Sequence, residues 1–500
     1  MRQIISPQIR LGETDIGNIH FDLQSRDDIP QILRGLQYIY NTPEIREAVF
    51  KCLEEIFPES DHPTDGCSEK VDTTQGRPGM DLWVIFVLGS VRLITNCDYD
   101  RLMELANEHR TLRQLLGHGL VDEGDQYRLQ TIKDNVSLLT PEVLDKINQI
   151  VVKSGHALLG AEDEPLAGRC DSFVVETDVH YPTDGNLLLD AMRVILRDCG
   201  RAAHEFGLPE WRQYEYNYRC LRNLYRIAQK LKPSTSKDAA KVEARKAQIV
   251  QAYQAFLDLA NRLLGRAKQT LKDLRSMELT EELCEEIERY IVHAERQIDQ
   301  IDRRVIQGEK IPHDEKVFSV FEEHTEWISK GKAGVPVELG LRVCVLEDTM
   351  GFILHHQVME KQTDDKVAVS IVQEAQASFP TFRLCSFDKG FYTPGNREQL
   401  QGILDKVVMP KKGKLSKKER DIETEEEFVI ARKRHSAVES GFSALEVHGL
   451  DRCRDQGLDG FKRYIALAVV ARNVQKLGVI VLQREQEAAR RQERARKRAA

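Results

Sequence analysis

The sequence predicts a mixed α/β protein in which an all-helical segment precedes an α/β unit and a long helical insertion divides that unit. Three observations predict it. β-Branched and aromatic runs that read as buried strands occur at SFVVET (172–177) and then only after Pro312. Between them, two long stretches carry apolar residues at steps of three and four, the period of a packed helix. Upstream of residue 155 the pattern is helical, with helix-start residues and no strand run.

The chain has 500 residues, 41% hydrophobic and 30% charged. That length suggests roughly two to four domains, and the balance fits a charged, helix-rich globular protein rather than a disordered one. The most apolar run noted, Leu82–Val91, is ten residues long and stops at Arg92. A membrane helix needs about 20, so no membrane span is expected. The N-terminus MRQIISPQIRLGETD has no apolar core of a secretory signal. The ten cysteines include no CxxC pair, so free thiols in a reducing cytoplasm are expected. The net charge of −8 lowers the expectation of nucleic-acid binding when taken alone, but the basic residues are unevenly placed, and placement counts for more.

Residues 1–75 read as a peripheral segment, with a helix over Thr42–Ile56 ended by Pro58 and a polar linker from Glu59 to Gly76. Residues 76–165 read as a helical domain. A buried helix covers Leu82–Ile94, Asp98 or Asp100 caps the next, the pattern continues over Arg110–Leu116, and Thr140 with Pro141 opens a helix to Val152. After the strand at 171–177, a helical region spans Asn186–Lys232. Two periodic stretches follow, Ile249–Leu274 and Leu283–Val305, and form an antiparallel hairpin or part of a coiled coil whose second helix starts at Thr280. The insertion covers 186–330. Strands are then expected at VELGLRVCVLED, GFILHHQVME, FRLCSFD and KVVMP, with helices at Asp364–Ser378, Asn396–Leu404, Glu425–Val447 and from Phe461 to Lys476 or beyond. The α/β unit thus combines residues 166–185 and 331–480, ahead of a basic tail at 481–500.

Three carboxylates hold notable positions. Asp171 begins the first strand, Asp388 ends another before KGFY, and Glu439 lies on a helix. Strand ends and helix faces can gather carboxylates from distant parts of a chain. Such a cluster repels itself without cations and invites hard divalent metals. Taken singly, a strand-end Asp is most often a turn or cap residue and a helical Glu a solvated one. His355 and His356 are neighbours on a strand, so they face opposite ways and read as structural.

Four segments carry a resemblance. GRPGMDLWVIFVLGSVRLITNCDYDRLMELANEHRTLRQLLG, CDSFVVETDVHYPTDGNLLLDAMRVILR, SFDKGFYTPGNREQL and RKRHSAVESGFSALEVHGLDRCRDQGLDGFKRYIALAVVARNVQKLG together resemble the DDE transposases of bacterial insertion sequences, of the ISNCY type and related to the IS-five-like enzymes. The resemblance runs from about Gly76 to Gly478. It implies a ribonuclease-H-like catalytic core with a mixed sheet flanked by helices, and a helical N-terminal domain that binds DNA. It implies Asp171, Asp388 and Glu439 as the triad holding two Mg²⁺ or Mn²⁺ ions. Asp178 rivals Asp171 for the first position; DSFVVE matches the family's word from Asp171, with Phe173 where Thr is commoner. Glu446 stands where relatives carry a Lys, and Arg452 or Lys462 are the substitutes in reach.

The implied function is cleavage at the ends of an insertion sequence and strand transfer into target DNA. The implied partners are double-stranded DNA, as terminal inverted repeats and target, and a second copy in a synaptic dimer, with no membrane and a bacterial cytoplasmic setting. Basic residues fit this expectation. PKKGKLSKKER (410–420) has six Lys/Arg and one Glu, and Lys411, Lys412, Lys414, Arg434 and His435 are the expected DNA contacts, acting on phosphates rather than bases. A catalytically silent DNA-binding descendant and a nuclease without strand transfer are the alternatives.

Overall fold

The computed structural model describes residues 3–5, 14–22, 25, 27–56, 79–119, 126–208, 211–277, 281–329, 337–435 and 438–499, without the side chains of 418, 438–440 and 499. The expected linker at 59–76 and the expected helix start at Thr280 lie outside these residues. Two compact units emerge: residues 1–178 with 328–500, and residues 179–327.

The first unit opens with α1 (Asp28–Asn41) and α2 (Pro43–Glu54). Asp27 caps α1 by accepting from the Ile29 amide. Ile32, Leu33, Leu36 and Ile39 of α1 are fully buried, packed on the C-terminal helix Gly457–Ala499. A Cβ on Gly35 would stand 2.1 Å from the Val474 carbonyl oxygen, and one on Gly478 would stand 1.9 Å from that of Gln31. The two backbones touch because both crossing positions lack side chains. α1 thus packs into the main core.

The next helices are α3 (Leu82–Ile94), α4 (Tyr99–Glu108), α5 (Arg110–Leu115), α6 (Leu129–Val136) and α7 (Pro141–Leu159). Asp98 caps α4, and Thr140 with Pro141 opens α7. Every residue of α3 is buried. Its Arg92 pairs with Asp455 at 2.8 Å, and the guanidinium lies 3.8 Å from the Tyr99 ring centroid, so the buried charge is matched rather than stranded. These helices share one unit with the sheet. α3 and α7 pack on the C-terminal helix, and α4, α5 and α6 join through α3 and one another.

Strand β1 (Leu166–Thr177) follows. The chain then enters the second unit, with α8 (Asp184–Glu205), α9 (Tyr214–Lys230), α10 (Ala239–Arg275) and α11 (Glu281–Ile301). Phe256, Ala260, Leu263 and Ala267 of α10 share a core with Ile287, Ile291 and Ala294 of α11. Ion pairs Lys268–Glu295 and Arg275–Glu288 cross between α10 and α11 in reversed order, so the two form an antiparallel hairpin.

The chain returns through a short strand, β2 (Glu326–Ser329), to β3 (Val337–Asp348) and β4 (Ile353–Met359). Then come α12 (Asp364–Ser378), β5 (Phe382–Phe387), α13 (Pro394–Ile403) and β6 (Lys406–Val408). The chain ends with α14 (Lys417–Thr424), α15 (Glu426–His435), α16 (Val438–Leu445), β7 (Arg452–Cys453) and α17 (Gly457–Ala499). The seven-stranded sheet is mixed. β1 runs antiparallel to β3 and parallel to β5, β4 is antiparallel to β3, and β6 is parallel to β5. Alternation along β1 and β3 turns Cys170, Cys344 and Leu346 into the core with α12. It turns Phe173, Val175, Val343 and Val345 into the core with α16 and α17.

The helix expected over Glu425–Val447 is described as α15 and α16 on either side of residues 436–437, which lie outside the described residues, and a π-type turn at Glu446–Leu450 follows. The carbonyl of Arg434 near the end of α15 accepts from Arg169 Nη1 at 3.4 Å, and Gly449 at φ 100° closes the later turn. The final helix runs through the basic tail to Ala499. Of single described helices, α17 alone is long and apolar enough to cross a membrane, and 83% of its apolar window is buried inside the protein. That window is longer than the run at Leu82–Val91, and it serves as the central core helix. The nine described cysteines are free thiols.

Candidate active site

β1 and β5 run parallel with Cys170 opposite Phe387. The next residues along, Asp171 and Asp388, therefore stand side by side where β5 ends. Asp388 is exposed and opens the 3-10 turn Lys389–Phe391, while Asp171 is half-buried. Asp171 Oδ1 accepts from the Ser172 amide at 2.7 Å. Alternation puts Asp171 on the same sheet face as Arg169 and Phe173.

The end of α15 and one face of α16 lie over these strands. His435 Nδ1 and Ser386 Oγ are 3.0 Å apart, two residues before Asp388, and the Arg169–Arg434 contact reaches β1 two residues before Asp171. On α16, Phe442 packs on Phe173 with centroids 4.7 Å apart. Glu439 is one helical turn before Phe442 on α16, and its side chain lies outside the described residues.

A buried charge pair on this face gave no signal in the sequence beyond an Arg inside a strand. Arg169 Nη2 donates to Glu347 Oε2 at 3.1 Å and to the Asp348 carbonyl at 3.3 Å. Burial raises the Glu347 carboxyl above its ordinary range, and the Arg169 guanidinium opposes the rise. A Cβ on Gly441 would stand 2.9 Å from Glu347 Oε2, so the missing side chain lets α16 sit directly on the pair. Beyond the sheet, Ser172 Oγ donates to Asp364 Oδ1 at 2.6 Å, and Gly390 leaves room for the other oxygen of Asp364.

Asp171 and Asp388 offer only oxygen donors, the chemistry that Mg²⁺ and Mn²⁺ favour over softer ions. Among the described residues, no three His, Cys, Asp or Glu side chains stand together as a metal site. The donor types fit a hard divalent ion with a third ligand still to be supplied.

The remaining candidates are divided. Lys411 is engaged within the chain: its ammonium binds Glu419 at 2.8 Å, which with Ser416 holds the Glu419 carboxyl down to about 2. Lys412, Lys414 and Arg434 are exposed. Asp178 is exposed at the end of β1, with Arg452 3.5 Å away. Arg452 also faces Glu176, and Lys462 is bound to Glu360 at 2.6 Å. Glu446 and Arg452 line a cleft of about 680 Å³ with Asp98, Glu176, Asp178, Glu338, Asp451 and Arg454; Asp171 and Asp388 are not among its walls. His355 binds Glu374 at 2.6 Å, and His356 lies toward Asp145 at 3.5 Å, on opposite faces. In the second unit His180 is paired with Asp190 at 2.6 Å.

The site thus consists of two aspartates at adjacent strand ends of a mixed sheet flanked by helices. A family model described as a transposase DDE domain matches residues 301–474. The match contains Asp388 and Glu439, begins after Asp171, and supports a transposase, an enzyme acting on DNA. No curated protein and no solved structure matches the chain.

Proposed function

We propose that the chain is the transposase of a bacterial insertion sequence, which cuts DNA at the element's ends and joins the freed 3′-hydroxyls to target DNA. The observation that carries this reading is the side-by-side position of Asp171 and Asp388 in the parallel β1–β5 pair, beneath the helix that bears Glu439. The strand pattern agrees with a ribonuclease-H-like core: antiparallel β4, β3 and β1, then parallel β5 and β6.

In this reading Asp171, Asp388 and Glu439 would hold two Mg²⁺ or Mn²⁺ ions, which would supply activation of the attacking oxygen and charge stabilisation of the leaving one. The chain's own residues position the acids. β1 and β5 carry the two aspartates, and the contacts Phe442–Phe173, Arg169–Arg434 and His435–Ser386 tie α16 and the end of α15 to those strands. Lys412, Lys414 and Arg434 are free to meet phosphates, whereas Lys411 must first leave Glu419. Recognition of terminal repeats is assigned to the helical stretch 76–165, and a cytoplasmic homodimer would hold two ends together.

The test is incubation of purified protein with a plasmid carrying the element's ends, in Mg²⁺ or Mn²⁺. Joined products are expected. Nicked products that are never joined would make the protein a nuclease, and binding without cleavage in either metal would make it a silent DNA-binding protein.

A further inference from the structure

α9 of the second unit has two unlike faces. Leu221, Tyr225 and Ala228 are buried in the unit's core. On the outside, Tyr216, Arg219, Asn223, Arg226 and Lys230 follow one another at alternating steps of three and four, a straight stripe along the helix. Arg219, Arg226 and Lys230 are exposed, as is Arg222 beside them. Tyr216 is 56% and Ile227 57% exposed. The helix carries four Lys/Arg and one Glu, which lies in its first turn.

Several other cations of this unit are paired within it. Lys268 and Arg275 meet Glu295 and Glu288, Arg304 meets Asp184, and Arg303 serves Asp299, Glu309 and Glu315. Among the described residues, none of the four α9 cations forms an ion pair. Like charges three or four apart on a helix repel one another, at a cost in stability. Here that cost stands unrelieved at Arg219–Arg222, Arg222–Arg226 and Arg226–Lys230. The row is relieved by an anion that presents repeated charges along a line.

We propose that α9 is a contact surface for the sugar-phosphate backbone of duplex DNA, formed by Arg219, Arg226 and Lys230. At 1.5 Å per residue these cations are spaced by about 10 and 6 Å, and a duplex strand offers a phosphate every 3.4 Å of axis. This spacing is compatible with each cation meeting a separate phosphate. Contacts of this kind hold DNA without reading its sequence. The proposal rests on the reading of the chain as an enzyme acting on DNA.

The test measures duplex affinity of the full chain against salt concentration. Three proteins are compared: wild type, Arg219→Gln/Arg226→Gln/Lys230→Gln, and Lys268→Gln/Arg275→Gln/Arg304→Gln, which removes the same number of charges from paired positions. The slope of log K against log salt is expected to flatten by about 3 in the α9 variant, at roughly 0.9 per lost phosphate contact. The control variant is expected to keep the wild-type slope, and circular dichroism to show equal helicity in all three. A wild-type slope in the α9 variant means a solvated face and overturns the proposal. Equal flattening in both variants overturns it too, since net charge rather than the stripe would then matter. Loss of all duplex binding by the wild type would sink the transposase reading along with it.

Discussion

The Phe442 ring lies 4.7 Å, centroid to centroid, from the Phe173 ring. Phe173 is 7% exposed beneath the helix that carries Glu439. Its ring fills the space between strand and helix, two residues from Asp171 on β1.

Phe442→Ala is therefore expected to destabilise the first unit by about 3–5 kcal/mol and to reduce DNA cleavage while end binding remains. Phe173→Ala should not add to it fully, because paired rings carry about 0.5–1.5 kcal/mol of coupling. Denaturant unfolding of both single variants and the double variant checks this. Strict additivity would mean that the two rings do not act together.

The Arg169–Glu347 pair makes an asymmetric prediction. Arg169→Met strands a carboxylate that is about nine-tenths buried and should cost on the order of 3–5 kcal/mol. Arg169→Met/Glu347→Met should recover much of that loss, since an apolar pair of similar volume carries no desolvation cost. Thermal unfolding of both variants decides. A double variant no better than the single would show that Glu347 has other obligatory partners.

Gly478→Ala should disrupt the α1–α17 crossing, because the added Cβ would fall 1.9 Å from a backbone oxygen and backbone cannot swing aside as a side chain can. A loss of about 1–3 kcal/mol or more is expected. Limited proteolysis should then release the segment containing α1. An unchanged melting temperature would contradict the close crossing.

Much of the fold was legible where signals are local. Asp98, Thr140 and Pro141 cap the helices they announce, and the β-branched runs at β1 and β3 are strands. The adjacency of Asp171 and Asp388 was approachable, since both sit at strand positions, although register is set by pairing and not by sequence spacing. What failed is non-local. The stripe Ile32, Leu33, Leu36 and Ile39 is an ordinary amphipathic pattern, and its partner α17 lies more than 400 residues away. Lys411 read as a free cation because Glu419, eight residues on, folds back to it.

Stability should fall with acid through His356. Burial depresses its imidazole to about 4 from an ordinary 6.5. The unfolded chain therefore binds a proton between those values that the folded chain refuses, so stability drops as pH falls from about 6.5 towards 4. From pH 7.5 to pH 5 the loss assigned to this residue is about 2 kcal/mol. His356→Phe should flatten that part of the stability–pH curve, and an unaltered curve would show that His356 is not buried neutral.

The measurement that bears most directly on the central claim compares two sites on one molecule. Cleavage of end-containing duplex in Mg²⁺ is followed for wild type, Asp171→Asn, Asp388→Asn and Glu446→Gln/Arg452→Gln. The strand-end variants should lose cleavage by about 10³-fold or more, as removal of groups central to transition-state stabilisation does, and still bind ends. The cleft variant should stay within a few-fold of wild type. Full cleavage by Asp388→Asn with loss in the cleft variant would move the chemistry to the acidic cleft and contradict the account.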